Sequence, residues 1–484
     1  MDLLDKMETD VGTMLNKIAP IATNELKHIQ SLMREAEARW ASKIIVDNSL
    51  TRALVSFQAN KSKAVYRWYK YKEAFSADLV NYFLNKYRIS KGIMLDPFAG
   101  SGTALFVAAG MGIKAEGIEL LPLGRTIIQT RQVIENGLDE GIMRRLEFWR
   151  DNQPWEKASE IRPIIELRIT RGAYPDTTFK AIGQFLKTLE DEDEKVKSIL
   201  LYALLSILEN VSYTRKDGQY LRWDYRAGRH HGEKIFDKGE ILDFDSAMAG
   251  KLGEMISDLR SADFPDDLFS ANCPKEVVHL YGGSCLEILP KLKANSYNLI
   301  FTSPPYCNRY DYTRTYALEL ALLGVNEAGL LRLRQDMLSC TVENREKDLL
   351  ALNPKWNKAV EAADQQALLQ DILKYLALQK DLDLLNNNGI PRMIKGYFYE
   401  MACVIYEAAR ILKKNAPFIM VNDNVRYAGA SISVDIILSE IAESLGFRAE
   451  KILVLPNGKG NSSQQMGNHG RETLRKCVYV WRKE

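Results

Sequence analysis

A stiff polar loop at the end of an apolar run is the first candidate for chemistry in this sequence. Residues 297–301 form a short β-branched and aromatic run, and Thr302-Ser303-Pro304-Pro305-Tyr306 follows directly. Such a run is typical of a buried strand, and each proline fixes its own φ, so the loop after the strand is rigid. A hydroxyl, free carbonyl oxygens and an aromatic ring at a rigid tip suit a planar ligand that bears an amino group. The alternative interpretation is an ordinary turn at a strand end.

A glycine-rich turn between an apolar strand and a helix-forming segment is the second candidate. The segment Ile93–Thr103 runs Ile-Met-Leu-Asp-Pro-Phe-Ala-Gly-Ser-Gly-Thr, and Ala104–Ala109 continues it. Glycines permit tight turning and close backbone approach, and a helix N-terminus presents unpaired N–H groups. The next apolar run ends in Glu119, where an acid can accept hydrogen bonds from a ribose. A phosphate-binding or purely structural turn is the alternative, although Asp96 and Phe98 disfavour a phosphate.

Together the two stretches resemble the amino-group DNA methyltransferases that use S-adenosylmethionine. Asp-Pro-Phe-Ala-Gly-Ser-Gly-Thr, residues 96–103, is similar to that family's cofactor loop, and Ser-Pro-Pro-Tyr, residues 303–306, to its catalytic tetrapeptide. The resemblance covers roughly residues 65–125, 275–325 and 390–484. It implies an α/β protein with a Rossmann-like seven-stranded methyltransferase sheet, a helical N-terminal extension and helical insertions.

The resemblance also implies a set of cofactor contacts around the glycine turn and the neighbouring strand ends. In the family an acid commonly follows the third strand, and here Ser284-Cys285 stands in that place. We therefore expect S-adenosylmethionine to contact Phe75, Ser76, Asp96, Pro97, Phe98, Ala99, Gly100, Ser101, Gly102, Thr103, Glu119, Leu120, Ser284 and Cys285.

The tetrapeptide implies methylation of an exocyclic amine, whose lone pair is delocalised into the base. By the resemblance, Ser303 Oγ and the Pro304 carbonyl would accept the amine protons, Pro305 would stiffen the loop and Tyr306 would stack on the base. The target atom is hidden in a duplex, so a flipped base is implied. Neither a metal nor a cysteine nucleophile is needed, since Cys307 does not fit the Pro-Cys pattern of ring-carbon methylation.

Serine rather than aspartate at position 303 resembles the cytosine-N4 enzymes more than most adenine-N6 enzymes. The cofactor loop precedes the catalytic loop, the opposite of the order in many family members that carry Ser-Pro-Pro-Tyr. We expect cytosine N4 as the target, with adenine N6 and an RNA base as alternatives within the class. From a different class, a non-catalytic nucleic-acid-binding subunit that retains the fold is the other hypothesis.

Basic and aromatic side chains interleave most densely at 212–226, around a glycine turn. Arginine and lysine can bind phosphates or read guanine, and aromatic rings can stack on an unpaired base. A second polar-aromatic loop, 307–316, follows the catalytic tetrapeptide. A solvated hairpin whose aromatics face the core is the alternative for the first segment. The residues expected to contact DNA are Arg215, Lys216, Tyr220, Arg222, Arg226, Arg309 and Arg314.

Composition limits the kind of partner and compartment. The chain has 484 residues, 46% of them hydrophobic, and a net charge of +2, so a DNA-binding face has to be a local cluster of charge. Six cysteines without Cys-x-x-Cys spacing predict reduced thiols in a cytoplasmic, prokaryotic protein, and five scattered histidines, with only His230-His231 adjacent, do not predict a zinc site. No apolar run is long enough to span a bilayer. The expected partners are double-stranded DNA, a cognate restriction or defence-system subunit and a second copy in a homodimer, with no membrane.

The expected organisation alternates catalytic parts with insertions. We divide the chain into a helical N-terminal extension at 1–60, catalytic parts at 61–124, 275–324 and 390–484, a DNA-contacting insertion at 125–274, and a helical insertion for target recognition at 325–389.

Local signals also predict individual elements. Ser76 is suited to be the N-cap of a helix over 77–87. Gly446 is suited to be the C-cap just beyond a helix over 431–445. The apolar runs 451–455 and 476–481 predict a terminal antiparallel hairpin.

Overall fold

The computed structural model describes residues 23–217, 220–229, 235–261, 277–456, 459–460 and 473–484. Residues 1–22 of the expected helical extension, His230, His231, the end of the first insertion and most of the polar loop at 457–472 lie outside the described residues. The side chain of Tyr220 lies outside them as well.

Helices and strands alternate along most of the described chain. The helices are α1 (23–40), α2 (Ala77–Lys86), α3 (Thr103–Gly110), α4 (Pro122–Glu135), α5 (Glu140–Asn152), α6 (Asp176–Leu189), α7 (Glu194–Ile207), α8 (Phe244–Arg260), α9 (Cys285–Ile288), α10 (Tyr312–Thr315), α11 (Ala317–Leu322), α12 (Glu327–Asp336), α13 (Leu349–Leu352), α14 (Asn357–Asp364), α15 (Ala367–Asp381), α16 (Ile390–Ile411) and α17 (Val434–Ser444). The strands are β1 (Ile44–Val46), β2 (Ile93–Asp96), β3 (Lys114–Glu119), β4 (Thr214–Asp217), β5 (Tyr220–Trp223), β6 (Val278–Gly282), β7 (Leu299–Thr302), β8 (Pro417–Asp423), β9 (Val425–Tyr427), β10 (Ala430–Ile432), β11 (Phe447–Val454), β12 (Lys459–Gly460), β13 (Thr473–Leu474) and β14 (Lys476–Lys483).

The chain divides into two compact units. Unit 1 consists of the described residues of Met1–Arg52, Leu289–Arg309 and Leu338–Glu484, and unit 2 of Ala53–Ile288 and Tyr310–Met337.

Unit 2 is built on three parallel strands in the order β2-β3-β6. The strand β2 is apolar and mostly buried, and the helix α3 that follows it is buried on every side, as an apolar sequence without a polar face requires. The helix α2 begins as predicted, since the Ser76 side chain accepts a hydrogen bond from the Leu79 N–H. The basic-aromatic segment forms the antiparallel hairpin β4-β5.

Unit 1 carries five strands in the order β1-β11-β14-β8-β7. The strands β11 and β14 pair antiparallel, which confirms the predicted terminal hairpin, and β7 pairs parallel with β8. The helix α17 ends as predicted, with Gly446 at φ +93° just beyond it. The two long helices α16 and α17 bury extended apolar faces.

The N-terminal extension differs from the purely helical segment expected from the sequence. After α1, the residues Ile44–Val46 form β1, which pairs parallel with β11. Trp40 of α1 donates to Glu440 at 2.9 Å, which holds the helix against unit 1. Among the described residues, the five strands listed for unit 1 and the three listed for unit 2 make eight, one more than the seven expected. The additional strand is β1, an edge strand of three residues that the sequence pattern did not predict.

The insertion expected to be helical over 325–389 is interrupted. The helices α12 to α15 occupy much of it, but residues 339–347 are not helical. In this stretch Asn344 caps the turn by accepting from the Cys340 and Thr341 N–H groups. Within the described part of the chain, none of the helices combines the length and the apolar character that crossing a membrane requires.

Candidate active site

The glycine turn of unit 2 is shaped by two left-handed residues. Gly100 and Gly102 have φ values of +55° and +77°. A Cβ on Gly102 would lie 2.7 Å from Ile128 Cγ1, so a larger residue there would force its neighbours to shift as well as straining the backbone. The Phe98 N–H donates to Asp96 Oδ1 at 3.0 Å, which ties the start of the turn to the end of β2. The turn is therefore a rigid backbone surface with its bare α-carbons packed closely.

The carboxylate of Glu119 joins the tip of β3 to this turn. Its Oε2 accepts from the Gly100 N–H and its Oε1 from the Leu121 N–H, both at 2.7 Å. Burial raises the pKa of Glu119 to about 7, although the two backbone donors act in the opposite direction. Each carboxylate oxygen keeps a lone pair beyond the one its backbone partner uses, so Glu119 can still accept from a ligand hydroxyl.

The other residues expected to hold the cofactor fall into two groups. Ser76 is buried, caps α2 and donates to the Leu54 carbonyl at 2.6 Å, and Phe75 and Cys285 are buried too. Ser284 is buried and donates to the Asp336 carbonyl at 2.8 Å. Those that keep partial exposure beside the turn are Phe98, Gly100, Ser101 and Leu120.

This arrangement fits a nucleoside cofactor. A carboxylate at a strand tip suits ribose hydroxyls, and the partly exposed Phe98 and Leu120 offer apolar surface for a ring. Gly100 and Gly102 carry no side chains that would cover the backbone of the turn. A carboxylate acceptor and an apolar surface can recognise ribose hydroxyls and a ring. The residues present therefore agree with the cofactor that the family resemblance implies.

The tetrapeptide of unit 1 closes on itself at the end of β7. The strand is fully buried, and the Ser303 Oγ lies 3.1 Å from the Tyr306 Oη and 3.2 Å from the Val421 carbonyl oxygen. A serine hydroxyl has one proton to donate and two lone pairs, so Ser303 can donate to one of these oxygens and still accept. Ser303 and Tyr306 keep partial exposure. The predicted catalytic residues are thus brought together as an acceptor beside an aromatic ring.

Two charged residues that sequence reasoning missed flank this tetrapeptide. Lys476 begins β14 and lies opposite Asp423 in the register with β8. Its Nζ is 3.6 Å from Asp423 Oδ1 and 5.6 Å from the centroid of the Tyr306 ring. Burial lowers the pKa of Lys476, but Asp423 and Tyr306 outweigh it and raise the pKa above its usual value, so the ammonium stays charged. The available signal was the strand pairing of 476–481, which brings the residue to the carboxyl end of β8.

Cys307, for which the sequence does not predict a nucleophilic role, lies directly after the tetrapeptide. The residue is buried, and burial raises the pKa of its thiol well above the usual value. Its backbone carbonyl accepts from the Tyr427 hydroxyl at 2.9 Å. Its position is that of a packed core residue.

The hairpin β4-β5 has one packed face and one open face. Thr214 and Lys216 are buried while Arg215 and Asp217 are exposed, the alternation of a half-buried strand. Leu221 and Trp223 are buried as well. The apolar and aromatic residues described on β5 face the core, as in the interpretation of the segment as a solvated hairpin. Arg215 faces outward, as the interpretation of the segment as a DNA-facing loop requires.

The other arginines expected to contact DNA are partly engaged within their own units. Arg222 lies over the Phe236 ring and 3.4 Å from Asp217, and Arg226 pairs with Asp224 at 2.7 Å. In unit 1, Arg309 donates to Asn386 at 3.2 Å. In unit 2, Arg314 lies 3.3 Å from Asp311. Arg226 is exposed, and the other three keep partial exposure.

Lys216 differs from the rest of that set. Its ammonium is buried and pairs with the fully buried Glu319, and it also donates to the Tyr69 hydroxyl at 3.0 Å. Its charge is neutralised inside unit 2 rather than presented at the surface. Within the ranges that the structure describes, no cluster of His, Cys, Asp and Glu could hold a metal ion.

Comparison of the sequence with known proteins finds relatives over nearly the whole chain. This chain is 55% identical over 460 residues to the Type II methyltransferase M.AvaI of Nostoc sp., and the match covers 95% of this chain and 94% of that protein. It is 39% identical over 469 residues to the Type II methyltransferase M.BsoBI of Geobacillus stearothermophilus, covering 90% and 89%. A shorter match, 32% identical over 147 residues and 29% of this chain, is to the Type II methyltransferase M.MjaII of Methanocaldococcus jannaschii. No family model matches the chain.

Proposed function

The chain belongs to the Type II methyltransferases, and we propose that it is a site-specific DNA methyltransferase. In this proposal it transfers the methyl group of S-adenosylmethionine to N4 of a cytosine that is flipped out of the duplex. The observation that carries the acceptor assignment is Ser303, a neutral hydroxyl held beside Tyr306 with lone pairs left to accept. The observation that carries the cofactor assignment is the glycine turn joined to Glu119.

The residues of the tetrapeptide prepare the amine for attack. Ser303 Oγ and the Pro304 carbonyl oxygen accept hydrogen bonds from the two N–H groups of the amine. These hydrogen bonds return lone-pair density from the ring to the nitrogen. Tyr306 stacks on the extruded base and holds its plane. A base out of the duplex stack is a requirement of this geometry, since the amine is otherwise paired.

The cofactor, when bound, supplies a methyl group on a positively charged sulfur. Glu119 accepts from its ribose hydroxyls, and the turn at Gly100 and Gly102 lets the backbone approach it closely. Bound here, the cofactor would give up this methyl group to the amine nitrogen, and the amine would release one proton to solvent. The work of the protein in this step is in-line positioning.

Ser303 supports cytosine over adenine as the target base. An aspartate would accept more strongly, and its absence is the feature that resembles the cytosine-N4 enzymes. The substrate in this proposal is double-stranded DNA, contacted by Arg215, Arg222, Arg226, Arg309 and Arg314. We also propose a separate cognate restriction subunit as functional partner, and a homodimer as a state to be tested by light scattering.

The test is transfer of label from tritiated S-adenosylmethionine to unmethylated duplex DNA, with the products digested to nucleosides and resolved by mass. We expect N4-methylcytosine with wild type and loss of label with Ser303→Ala and Tyr306→Ala. Ser49→Ala, an exposed serine of unit 1, is the matched control and should retain full transfer. N6-methyladenine would overturn the base assignment, and S-adenosylmethionine binding without transfer to any DNA would overturn the substrate.

A further inference from the structure

A carboxylate outside the expected set of cofactor contacts lies beside the glycine turn. Glu73 is half-buried in the segment before α2 and accepts a hydrogen bond from the Tyr316 hydroxyl. The Tyr310 phenol acts on the same carboxylate and lowers its pKa. The Tyr316 hydroxyl is a neutral donor, so this hydrogen bond does not neutralise the charge of Glu73.

A continuous set of rings connects Glu73 to the turn. A Cβ placed on Gly100 would lie 3.5 Å from the Tyr71 ring, so this ring packs against the turn. Tyr71 stacks on Tyr316, with centroids 5.1 Å apart and planes at 25°. Glu119 is joined to the same turn through the Gly100 N–H, and burial, Glu119 and Glu73 all raise the pKa of Tyr71. Glu73 is therefore on the side of unit 2 that carries the glycine turn.

Glu73 has no ion-pair partner within unit 2. Among the described residues, no lysine, arginine or histidine lies within ion-pair distance of it, and the nearby Lys216 ammonium pairs with Glu319 instead. Burial raises the pKa of Glu73, an effect that the two phenols and the Lys216 ammonium, which lies beyond ion-pair distance, offset only in part. Withdrawing a carboxylate from water without a cation is costly, so such a group is expected where a cationic ligand compensates it.

We propose that Glu73 binds the α-ammonium group of the amino-acid part of S-adenosylmethionine. This assignment rests on the proposed function, and it adds an ammonium subsite to the glycine turn. Glu73 lies on the same segment as Phe75 and Ser76, but unlike those two residues it keeps partial exposure. A carboxylate with acceptor lone pairs matches an ammonium, which brings N–H donors and a full charge.

The other positive charge of the cofactor fits less well. The sulfonium has no N–H to donate, and its charge disperses as the methyl group leaves. A carboxylate at the sulfonium would stabilise the ground state more than the transition state and slow the reaction. The ammonium keeps its charge throughout, so its pairing with Glu73 contributes to binding without this penalty.

The test is calorimetric titration of the full chain with three ligands. S-adenosylmethionine carries both charges, S-adenosylhomocysteine only the ammonium, and methylthioadenosine neither. Glu73→Gln should weaken the first two by a similar factor of roughly ten and leave methylthioadenosine unchanged. Tyr316→Phe removes one hydrogen bond to the carboxylate and should give a smaller loss for the same two ligands. Glu156→Gln, an exposed glutamate of unit 2, is the matched control.

Each other pattern of binding contradicts the subsite. Weakening of S-adenosylmethionine alone would assign Glu73 to the sulfonium. Equal weakening of all three ligands would indicate a structural role for Glu73, and no weakening would remove it from the site. If the wild-type chain binds none of the three ligands, the proposed function fails, which is distinct from a failure of Glu73.

Discussion

At the scale of single residues, Glu119 makes the stability of unit 2 depend on pH. Its folded pKa of about 7 lies above the ordinary value of 4.5, so folding favours the protonated form. The stability that this group contributes is fully present below pH 4.5 and is lost as the pH rises through 7. Between pH 5 and pH 8 we expect the free energy of unfolding to fall by on the order of a few kcal/mol, which a lower urea midpoint would show.

The control for this expectation is Glu119→Gln. The amide cannot ionise, so the part of the slope due to Glu119 should disappear, while the loss of one acceptor lowers stability at every pH by about 1–3 kcal/mol. Identical slopes in wild type and variant would mean that Glu119 does not carry the pH dependence.

Gly102 tests how closely the turn is packed. Gly102→Ala places a Cβ at φ +77° and 2.7 Å from Ile128, whereas Gly137→Ala places one at φ +95° with nothing within 4 Å. Backbone strain alone costs about 1 kcal/mol. We expect Gly102→Ala to lose clearly more stability than Gly137→Ala in chemical denaturation. Equal losses would show that the neighbours of Gly102 yield without cost.

Lys476 is expected to position Tyr306 rather than to bind the cofactor. Its ammonium lies over the Tyr306 ring and beside Asp423, all within unit 1. Lys476→Met should lower kcat by roughly tenfold through loss of the cation–π contact, with Lys476→Arg retaining part of the rate. S-adenosylmethionine affinity, measured by titration, should not change. A parallel loss of that affinity would contradict a positioning role.

At the scale of elements, the hairpin β4-β5 is fastened to α11 by a buried ion pair. Lys216 and Glu319 are almost fully removed from water. Removing one partner of a buried pair leaves the other charge uncompensated and costs about 3–5 kcal/mol. Lys216→Met should therefore lower the urea midpoint strongly, and adding Glu319→Leu should restore much of it. A single variant that is fully stable and defective only in DNA binding would instead support the original expectation for Lys216.

The edge strand β1 illustrates how an element can be absent from local pattern. Three residues, Ile44–Val46, carry too little periodicity to separate a strand from a loop. They become a strand because β11 offers an unpaired edge with which they align in register from Ile44 to Val46. Helix α1 is then fixed by Trp40 on Glu440, a contact 400 residues apart in sequence.

At the scale of the whole molecule, near-neutral charge means that DNA affinity depends on few side chains. The net charge is +2, and the exposed Arg215 is one of the five arginines that we propose as phosphate contacts. Arg215→Ala should reduce the slope of log K against log salt by about one, uniformly across DNA sequences. Arg144→Ala, an exposed arginine on α5, should leave the slope unchanged. The same slope for all three proteins would exclude Arg215 from the contacts.

Short-range chemistry made much of this protein predictable from its sequence. The strand, turn and helix at 93–110, the loop after β7, the Ser76 cap and the β11-β14 hairpin each depend on residues a few positions apart. Glycine and proline restrict the backbone locally, and caps act over three residues, so these signals survive without knowledge of the rest of the fold. The position of Glu119 at the tip of the strand after the turn was similarly accessible, because a βαβ unit returns its second strand beside the first, whereas its hydrogen bond from the Gly100 N–H was seen only in the structure.

Only the tertiary structure decided which charges are buried and which are paired. Lys216 looked like a surface cation until Glu319, 103 residues later, was brought to it. Lys476 reached Tyr306 through the register of β14 on β8, and Glu73 acquired its partners through Tyr71 and Tyr316. Burial and pairing depend on strand register and helix packing, which are set by the sum of many weak contacts across the chain. No local pattern contains that sum, and the proposed ammonium subsite could therefore be found only in the folded protein.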